Sequence, residues 1–380
     1  MRIALVGPTH PYKGGVAAHT TETAHRLTAA GHDVDLISWA RLYPKLFYPG
    51  EQAVPGGGPD LPPFGRTARP LRWDRPGSWW RTGRSLRGYD LVVVVIVVPA
   101  QVPALLTLIR SARRGNRCRV VVLAHNVVPH ETHVGGEWLM GRVLAAADAT
   151  FVHSAEQARL ASEHGAARVA VADLPPHLPG GAPDRRQRAE EREAHRGRAQ
   201  EESAPVRVLA LGMVREYKGI DLLIEAAREV PGVVLTVAGE QWGAAGEKVR
   251  KLAAEPGLQN RVRLRAGYVP GAQVPALLAE HDILALTYRH ATASQNVLLA
   301  NAHGLPVLAS RVGTFPGQIR DGVDGLLVPP NDLPALVEAL RRLTEPGTLE
   351  KLTAGVPEVD LDSPWEAYVR TLTGLAEPGA

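Results

Sequence analysis

Residues 91–98 read LVVVVIVV, eight apolar residues without a polar interruption. The run is less than half of the roughly 20 residues that a membrane-spanning helix needs. A strand so uniformly apolar is buried on both faces, the setting of a parallel strand with helices packed above and below it. Its neighbours fit that setting. The runs RIALVG, DVDLIS, RVVVLAH and ATFVHS are strand-like, and helical patterns separate them up to about residue 172. Such alternation predicts a doubly wound α/β domain.

The alternation restarts at Val206, with VRVLAL, VVLTVAG, VRLRAG, DILALTY, LPVLAS and GLLVP. A chain of 380 residues is too long for one ordinary core, so two domains are expected, the first over 1–180 and the second over 205–350. Between them the chain crosses LPPHLPGG and then a run from Arg185 to Glu202 dense in Arg and Glu. That run buries too little apolar surface to offset the entropy of ordering, so 181–204 reads as a charged linker or insertion, although a solvated helix is compatible with it. The tail, 351–380, sets Trp365, Tyr368, Val369, Leu372 and Leu375 at helical spacing and is expected to pack back on the first domain.

Composition narrows the partners. A formal charge of +4 is small for this length and fits an anionic small molecule or weak attraction to an acidic membrane face; nucleic acid is not implied. The single cysteine, Cys118, excludes an internal disulfide framework and suits a reducing compartment. At the amino end, MRIALVGPTHP has an apolar run too short for a signal peptide, stopped by Pro8. A cytoplasmic protein is expected, at most peripheral to the inner membrane face. Heavy use of Ala, Arg, Gly and Pro suggests a GC-rich bacterial genome.

Chemistry concentrates at strand-to-helix turns. Gly212-Met213-Val214-Arg215-Glu216-Tyr217-Lys218-Gly219 follows VRVLAL and opens an apolar-periodic helix. In an open α/β sheet such turns lie at the carboxyl ends of the strands, where ligands bind, and Arg215 and Lys218 suit a diphosphate. A surface pair beside Glu216 is the plain alternative. Gly14-Gly15-Val16 likewise follows RIALVG and precedes a helix, offering bare N–H groups to an anion, or making an ordinary turn. His19, one turn further, could face an acceptor, but a solvent-facing helical histidine is the simpler account. His125 and Asn126 end RVVVLAH at the sheet edge where ligands bind and are read as donor-side residues, with a satisfied core histidine as the alternative for His125; Glu131 is an acceptor-side base or only a partner for His130. With His133, these residues invite a metal reading, but no metal site is expected. Thr292, Ser294, Gln295, Asn296 and Val297 span a turn and the next helix start, suited to phosphate or sugar hydroxyls or to a simple cap. Glu240 follows VVLTVAG and could bind sugar or base, or only start a helix. The arginines from Arg66 to Arg87 interleave with Trp73, Trp79 and Trp80, which suits anionic lipid headgroups or a solvated loop with its tryptophans folded in.

Taken in order, GGVAAHTTETAHRLTAAGHDVDLIS, LAHNVVPHE, LGMVREYKGIDLLIEA, VVLTVAGEQW and DILALTYRHATASQNVLLANAHGLPVLAS resemble family 4 of the retaining, nucleotide-sugar-dependent glycosyltransferases of the GT-B class. The resemblance implies two Rossmann-like domains facing a cleft, and a donor held mainly by the second domain. UDP or GDP is the expected carrier, with an envelope sugar or a small-molecule aglycone as acceptor and no resident cofactor. It places His125 near the donor sugar, Gly212 and Glu240 beside the nucleotide, and Arg215 and Lys218 on the diphosphate as the main catalytic lever. Typical members carry a pair of glutamates before the GLPVLAS strand; here Ala291 and Leu299 stand there, as in a branch with a Ser-rich turn. Three readings follow: a transferase, a sugar-nucleotide epimerase or cyclitol-coupling enzyme, and a non-catalytic nucleotide-sugar-binding protein.

Overall fold

A computed structural model describes residues 1–42, 52–54, 61–114, 118–127, 136–176, 178–181, 183–199, 204–290 and 294–377. The chain divides into two compact units, Met1–Pro175 with Asp360–Ala380, and Pro176–Val359.

The first unit alternates strand and helix throughout. Its elements are β1 (Arg2–Val6), α1 (Gly15–Ala29), β2 (Asp33–Arg41), β3 (Thr67–Arg72), α2 (Pro76–Ser85), β4 (Leu91–Ile96), α3 (Val102–Arg113), β5 (Arg119–Ala124), α4 (Gly136–Leu144), β6 (Ala149–Val152), α5 (Ala155–Glu163) and β7 (Val169–Val171). Among the described residues the strands form one parallel sheet in the order β3-β2-β1-β4-β5-β6-β7. The uniform apolar run becomes β4, buried along its whole length. Alternate side chains leave a strand on opposite faces, so Val92, Val94 and Ile96 join one core while Leu91, Val93 and Val95 join the other. The strand stops short of Val98 because the Gln101 side chain takes the N–H groups of Val97 and Val98, at 3.0 and 3.3 Å.

The second unit holds α6 (Arg185–Ala199), β8 (Val206–Leu211), α7 (Ile220–Arg228), β9 (Val233–Gly239), α8 (Gly243–Ala253), β10 (Val262–Ala266), α9 (Val274–Ala279), β11 (Ile283–Leu286), α10 (Asn296–Ala302), β12 (Val307–Ser310), α11 (Phe315–Gln318), β13 (Gly325–Val328), α12 (Leu333–Leu343) and α13 (Thr348–Gly355). Its strands are again parallel, in the order β10-β9-β8-β11-β12-β13. In both sheets the order reverses once, between β1 and β4 and between β8 and β11. The carboxyl ends of those strand pairs are where an open α/β sheet leaves a crevice for a ligand.

The charged run departs from a bare linker. It forms α6, grouped with the second unit, and its His195 is 2% exposed. Glu191 meets His303, buried after α10, at 2.8 Å. An apolar count misses this anchoring because a histidine and a carboxylate supply it. Residues 351–359 also stay with the second unit, where Leu352 enters the core.

The chain returns to the first unit through α14 (Ser363–Gly374). Trp365, Tyr368, Val369 and Leu372 recur at helical spacing and join Ile3, Leu5, Leu27, Val93 and Phe151 in one core. Trp365 and Tyr368 are each 1% exposed. An aromatic of this size buries about 150–250 Å² on folding, so α14 contributes as a structural layer and not as a loose tail. Trp365→Ala should lower unfolding free energy by about 3–5 kcal/mol through the cavity it leaves. Urea denaturation followed by far-UV circular dichroism tests this; an unchanged midpoint would show that α14 does not bear on the first unit.

Candidate functional site

At the carboxyl end of β8 the chain enters a tight, cation-bearing turn. Gly212 has φ 106°, in the left-handed region, and a Cβ there would lie 2.8 Å from Lys218 Nζ. The bare glycine lets the ammonium fold back over the strand end. Lys218 closes a single 3-10 turn, Glu216–Lys218, and its Nζ sits 5.6 Å from the centre of the Tyr288 ring. Loss of water, with Arg215 beside it, pulls the Lys218 ammonium down to about 8. Arg215 lies half-buried, its guanidinium 5.7 Å from the Trp242 ring and its Nε donating to Met213 Sδ at 3.1 Å. Glu240 is half-buried at the end of β9, and its carbonyl accepts from Val214 N–H at 2.8 Å. A cavity of about 240 Å³ is lined by Arg215, Glu216, Asp221, Lys248 and Arg289, room for a phosphate-sized group but not for a whole sugar nucleotide.

Tyr288 joins this turn to the Ser-rich one. Burial pushes its phenol up to about 12, against hydrogen bonds with Ser294 and Asn296. Asn296 N–H also donates to Ser294 Oγ, at 3.3 Å. Gln295, not Ser294, holds the capping position of α10, and its side chain makes no cap bond there. Val297 is fully buried, so its side chain is core and not ligand-lining; the sequence places it at a helix start but does not show which face turns inward. Leu299, at one of the two family glutamate positions, is 3% exposed in the same way. Thr292 lies outside the described residues, as does Ala291.

The residues after β11 carry contacts that no motif announces. Arg289 Nη2 donates to both oxygens of Asp221, at 2.9 and 2.8 Å, and Lys248 Nζ reaches the same carboxylate at 2.6 Å. Burial opposes ionisation of Asp221, but these two partners hold its carboxyl below the ordinary value. The only sequence signal is position: both Tyr288 and Arg289 closely follow an apolar strand.

In the first unit the glycine pair opens α1. Gly14 caps the helix, Gly15 is its first residue, and both are exposed, while Val16 packs against the core. Nothing lies within 4 Å of where a Gly14 Cβ would sit, so the backbone there is open to a ligand. His125 and Asn126, both half-buried, follow β5 on the same carboxyl edge of the sheet. His19 is not solvent-facing: it is 1% exposed. Its ring lies 4.9 Å from His125 and 5.7 Å from His153, and it stacks on Trp365 at 5.4 Å. The helix carrying His19 looks amphipathic only until α14, from the far end of the chain, covers that face. Glu131, His130 and His133 lie outside the described residues.

The arginine and tryptophan segment is a strand and a helix, not a loop. Arg66 pairs with Asp33 and Asp35, Arg72 makes two bonds to Asp74 at 3.0 and 2.8 Å, and Trp79 Nε1 donates to Arg72 O at 2.7 Å. Parallel pairing of β3 with β2 orders it, which an arginine count does not reveal. Trp73 and Trp80 remain exposed, with Arg84 4.7 Å from the Trp80 ring.

Comparison with known proteins covers both units. The model of "Glycosyltransferase Family 4" matches residues 13–173, and that of "Glycosyl transferases group 1" matches 205–345. The chain is 32% identical over 146 residues to a lipopolysaccharide core biosynthesis glycosyltransferase, LpsE, of Rhizobium meliloti, covering 38% of this chain and 41% of that protein. It is 32% identical over 249 residues to a GDP-mannose-dependent phosphatidylinositol monomannoside mannosyltransferase of Mycolicibacterium smegmatis, covering 60% of this chain and 62% of that one. These alignments thus span less than two thirds of either relative. The crystal structure of Anabaena HepE in complex with UDP-glucose superposes with a TM-score of 0.71 at 15% identity, covering 98% of this chain and 100% of that one. At that identity the likeness concerns the fold.

The buried histidines make one property measurable without a ligand. Burial brings His153 down to about 4, so the folded state resists a proton that the unfolded chain accepts near 6.5. No penalty applies above pH ~6.5; stability then falls as pH drops toward 4 and levels off below it. Thermal unfolding across pH 4–7 should show this acid limb, flattened in His153→Leu; an identical limb in the variant would remove His153 as its source.

Proposed function

Because the chain belongs to family 4 of the GT-B glycosyltransferases, we propose that it is a retaining transferase that moves a sugar from a nucleoside diphosphate to a sugar or small-molecule acceptor. The observation that carries this reading is the pairing of Arg215 with a desolvated Lys218 on one turn at the β8 carboxyl end, next to the strand-order reversal. Two cations in so small a space, short of water, are matched to a pyrophosphate. Each charged hydrogen bond to it contributes about 1.5–3 kcal/mol.

In the reaction so proposed, the bond between the sugar's anomeric carbon and the phosphate oxygen breaks and the acceptor oxygen takes its place on the same face. The leaving nucleoside diphosphate keeps the electron pair, and its freed oxygen takes the acceptor proton. Negative charge on the leaving group grows along this path, so contacts from Arg215 and Lys218 strengthen in the transition state and lower the barrier. No side-chain nucleophile, metal or resident cofactor enters this scheme. His125 is assigned to the sugar side of the chemistry, the Gly14 and Gly15 amides to a donor phosphate or the reacting sugar, and Ser294 and Asn296 to phosphate or sugar hydroxyls. The UDP-glucose held by HepE and the GDP-mannose in the Mycolicibacterium relative's name support a nucleotide-sugar donor, with UDP or GDP as carrier. Exposed Trp73, Trp80 and Arg84 offer a peripheral contact with an anionic membrane surface.

A panel of UDP-, GDP- and dTDP-sugars, assayed for saturable release of nucleoside diphosphate with a sugar acceptor mixture, tests the reading. Lys218→Ala should lower turnover at saturating donor by about 10 to 100-fold, the loss of one charged contact; unchanged turnover would remove Lys218 from the diphosphate. Since Lys218 loses its proton near pH 8 in the free protein, nucleoside diphosphate affinity should weaken as pH rises through 8, and a flat profile from 7 to 10 would contradict that role.

A further inference from the structure

Four consecutive carbonyls of the turn that carries the two cations are bonded from one short stretch after β11. The Arg289 guanidinium donates through Nη1 to Glu216 O, and its backbone N–H donates to Tyr217 O at 2.6 Å. Thr287 Oγ1 lies 3.2 Å from Lys218 O and 3.1 Å from Gly219 O, a shared donation to both. A 3-10 turn of three residues has little to hold it: its internal bonds include Lys218 N–H to Arg215 O at 3.0 Å and Gly219 N–H to Glu216 O at 3.2 Å. Gly219, at φ 61°, shows how close the two segments come, since a Cβ there would lie 2.1 Å from Thr287 O. The other end of the guanidinium is anchored on buried Asp221, in the first turn of α7. Arg289 thereby ties the turn, the start of α7 and the end of β11 into one piece.

We infer that Arg289 is a positioning residue that presets the Glu216–Lys218 turn for a nucleoside diphosphate by clamping its carbonyls from the carboxyl end of β11. The inference rests on the transferase reading above and adds to it a residue that acts through the turn it holds. Arg215 and Lys218 repel each other, and an unclamped turn would relieve that by opening. The clamp keeps both charges at ligand spacing before the ligand arrives, so less ordering is left for binding to supply. Arg289→Lys could still pair with Asp221, but it lacks the planar fork that spans both Asp221 and Glu216 O.

The test is calorimetric titration of UDP and GDP into the full chain, with melting temperature measured alongside. Arg289→Ala should weaken binding of the better nucleotide by at least ~10-fold, with Arg289→Lys recovering only part of the loss. In a Lys218→Ala background the same change should alter affinity by less than about twofold, because the clamp acts through the turn that Lys218 closes. Thr287→Val, which keeps shape and removes the hydroxyl donor, should weaken binding in the same direction and serves if Arg289→Ala does not fold. A purely structural arginine would lower the melting temperature while leaving the affinity of the folded protein unchanged; that result, or fully additive losses in the double variant, overturns the inference. Wild-type protein that binds neither nucleotide, and no dTDP when that is titrated in turn, overturns the transferase reading itself, whereas weakened Lys218→Ala beside unaltered Arg289→Ala and Thr287→Val sinks only the positioning role.

Discussion

Two positive charges that must stay close in a poorly solvated place set the terms for the second unit. Burial first, and the charge of Arg215 second, disfavour the Lys218 ammonium there, and the short turn has few bonds of its own to resist that repulsion. Among the described residues around Arg215 and Lys218 the chain answers this with geometry. Gly212 removes a side chain where the ammonium folds back, Tyr288 offers it a ring face, and the β11 end bonds the turn's carbonyls. The negative charge of Asp221 is engaged by Arg289 and Lys248, one layer behind. In the function proposed above, a diphosphate relieves the remaining repulsion.

The parallel sheet brings these turns together. Each strand delivers its following turn to the same carboxyl edge, and the reversal between β8 and β11 opens that edge where the two neighbouring turns meet. The first unit uses the same plan: the exposed Gly14–Gly15 turn follows β1, and His125 follows β5. There α14 closes the opposite problem, a helix face left uncovered by local sequence. Trp365 and Tyr368 cover His19, whose ring in turn touches His125, so the far end of the chain supports the residue assigned to the sugar.

Much of this is legible in the sequence. The eight-residue apolar run, the repeated alternation and the glycine-bearing turns depend on local rules, burial on two faces and positions that need a bare backbone, and those survive in a linear reading. The place of Arg215 and Lys218 on the turn after β8 is legible for the same reason. What escapes depends on partners distant along the chain. His19 reads as solvent-facing because its cover comes from α14. The Arg/Glu run reads as a linker because its anchors are His195 and the Glu191–His303 pair. Val297 and Val16 sit in site motifs, yet both side chains pack inward. Arg289 lies inside a family-like stretch and draws no notice, since an arginine whose task is to bond carbonyls has no spacing signature.

Where a pyrophosphate goes is tested most directly by a crystal structure of the protein with UDP or GDP. Phosphate oxygens are expected within about 2.7–2.9 Å of Lys218 Nζ and of the Arg215 guanidinium, at the carboxyl ends of β8 and β11. A nucleotide seated elsewhere on the chain, with both cations turned away from its phosphates, would contradict this assignment.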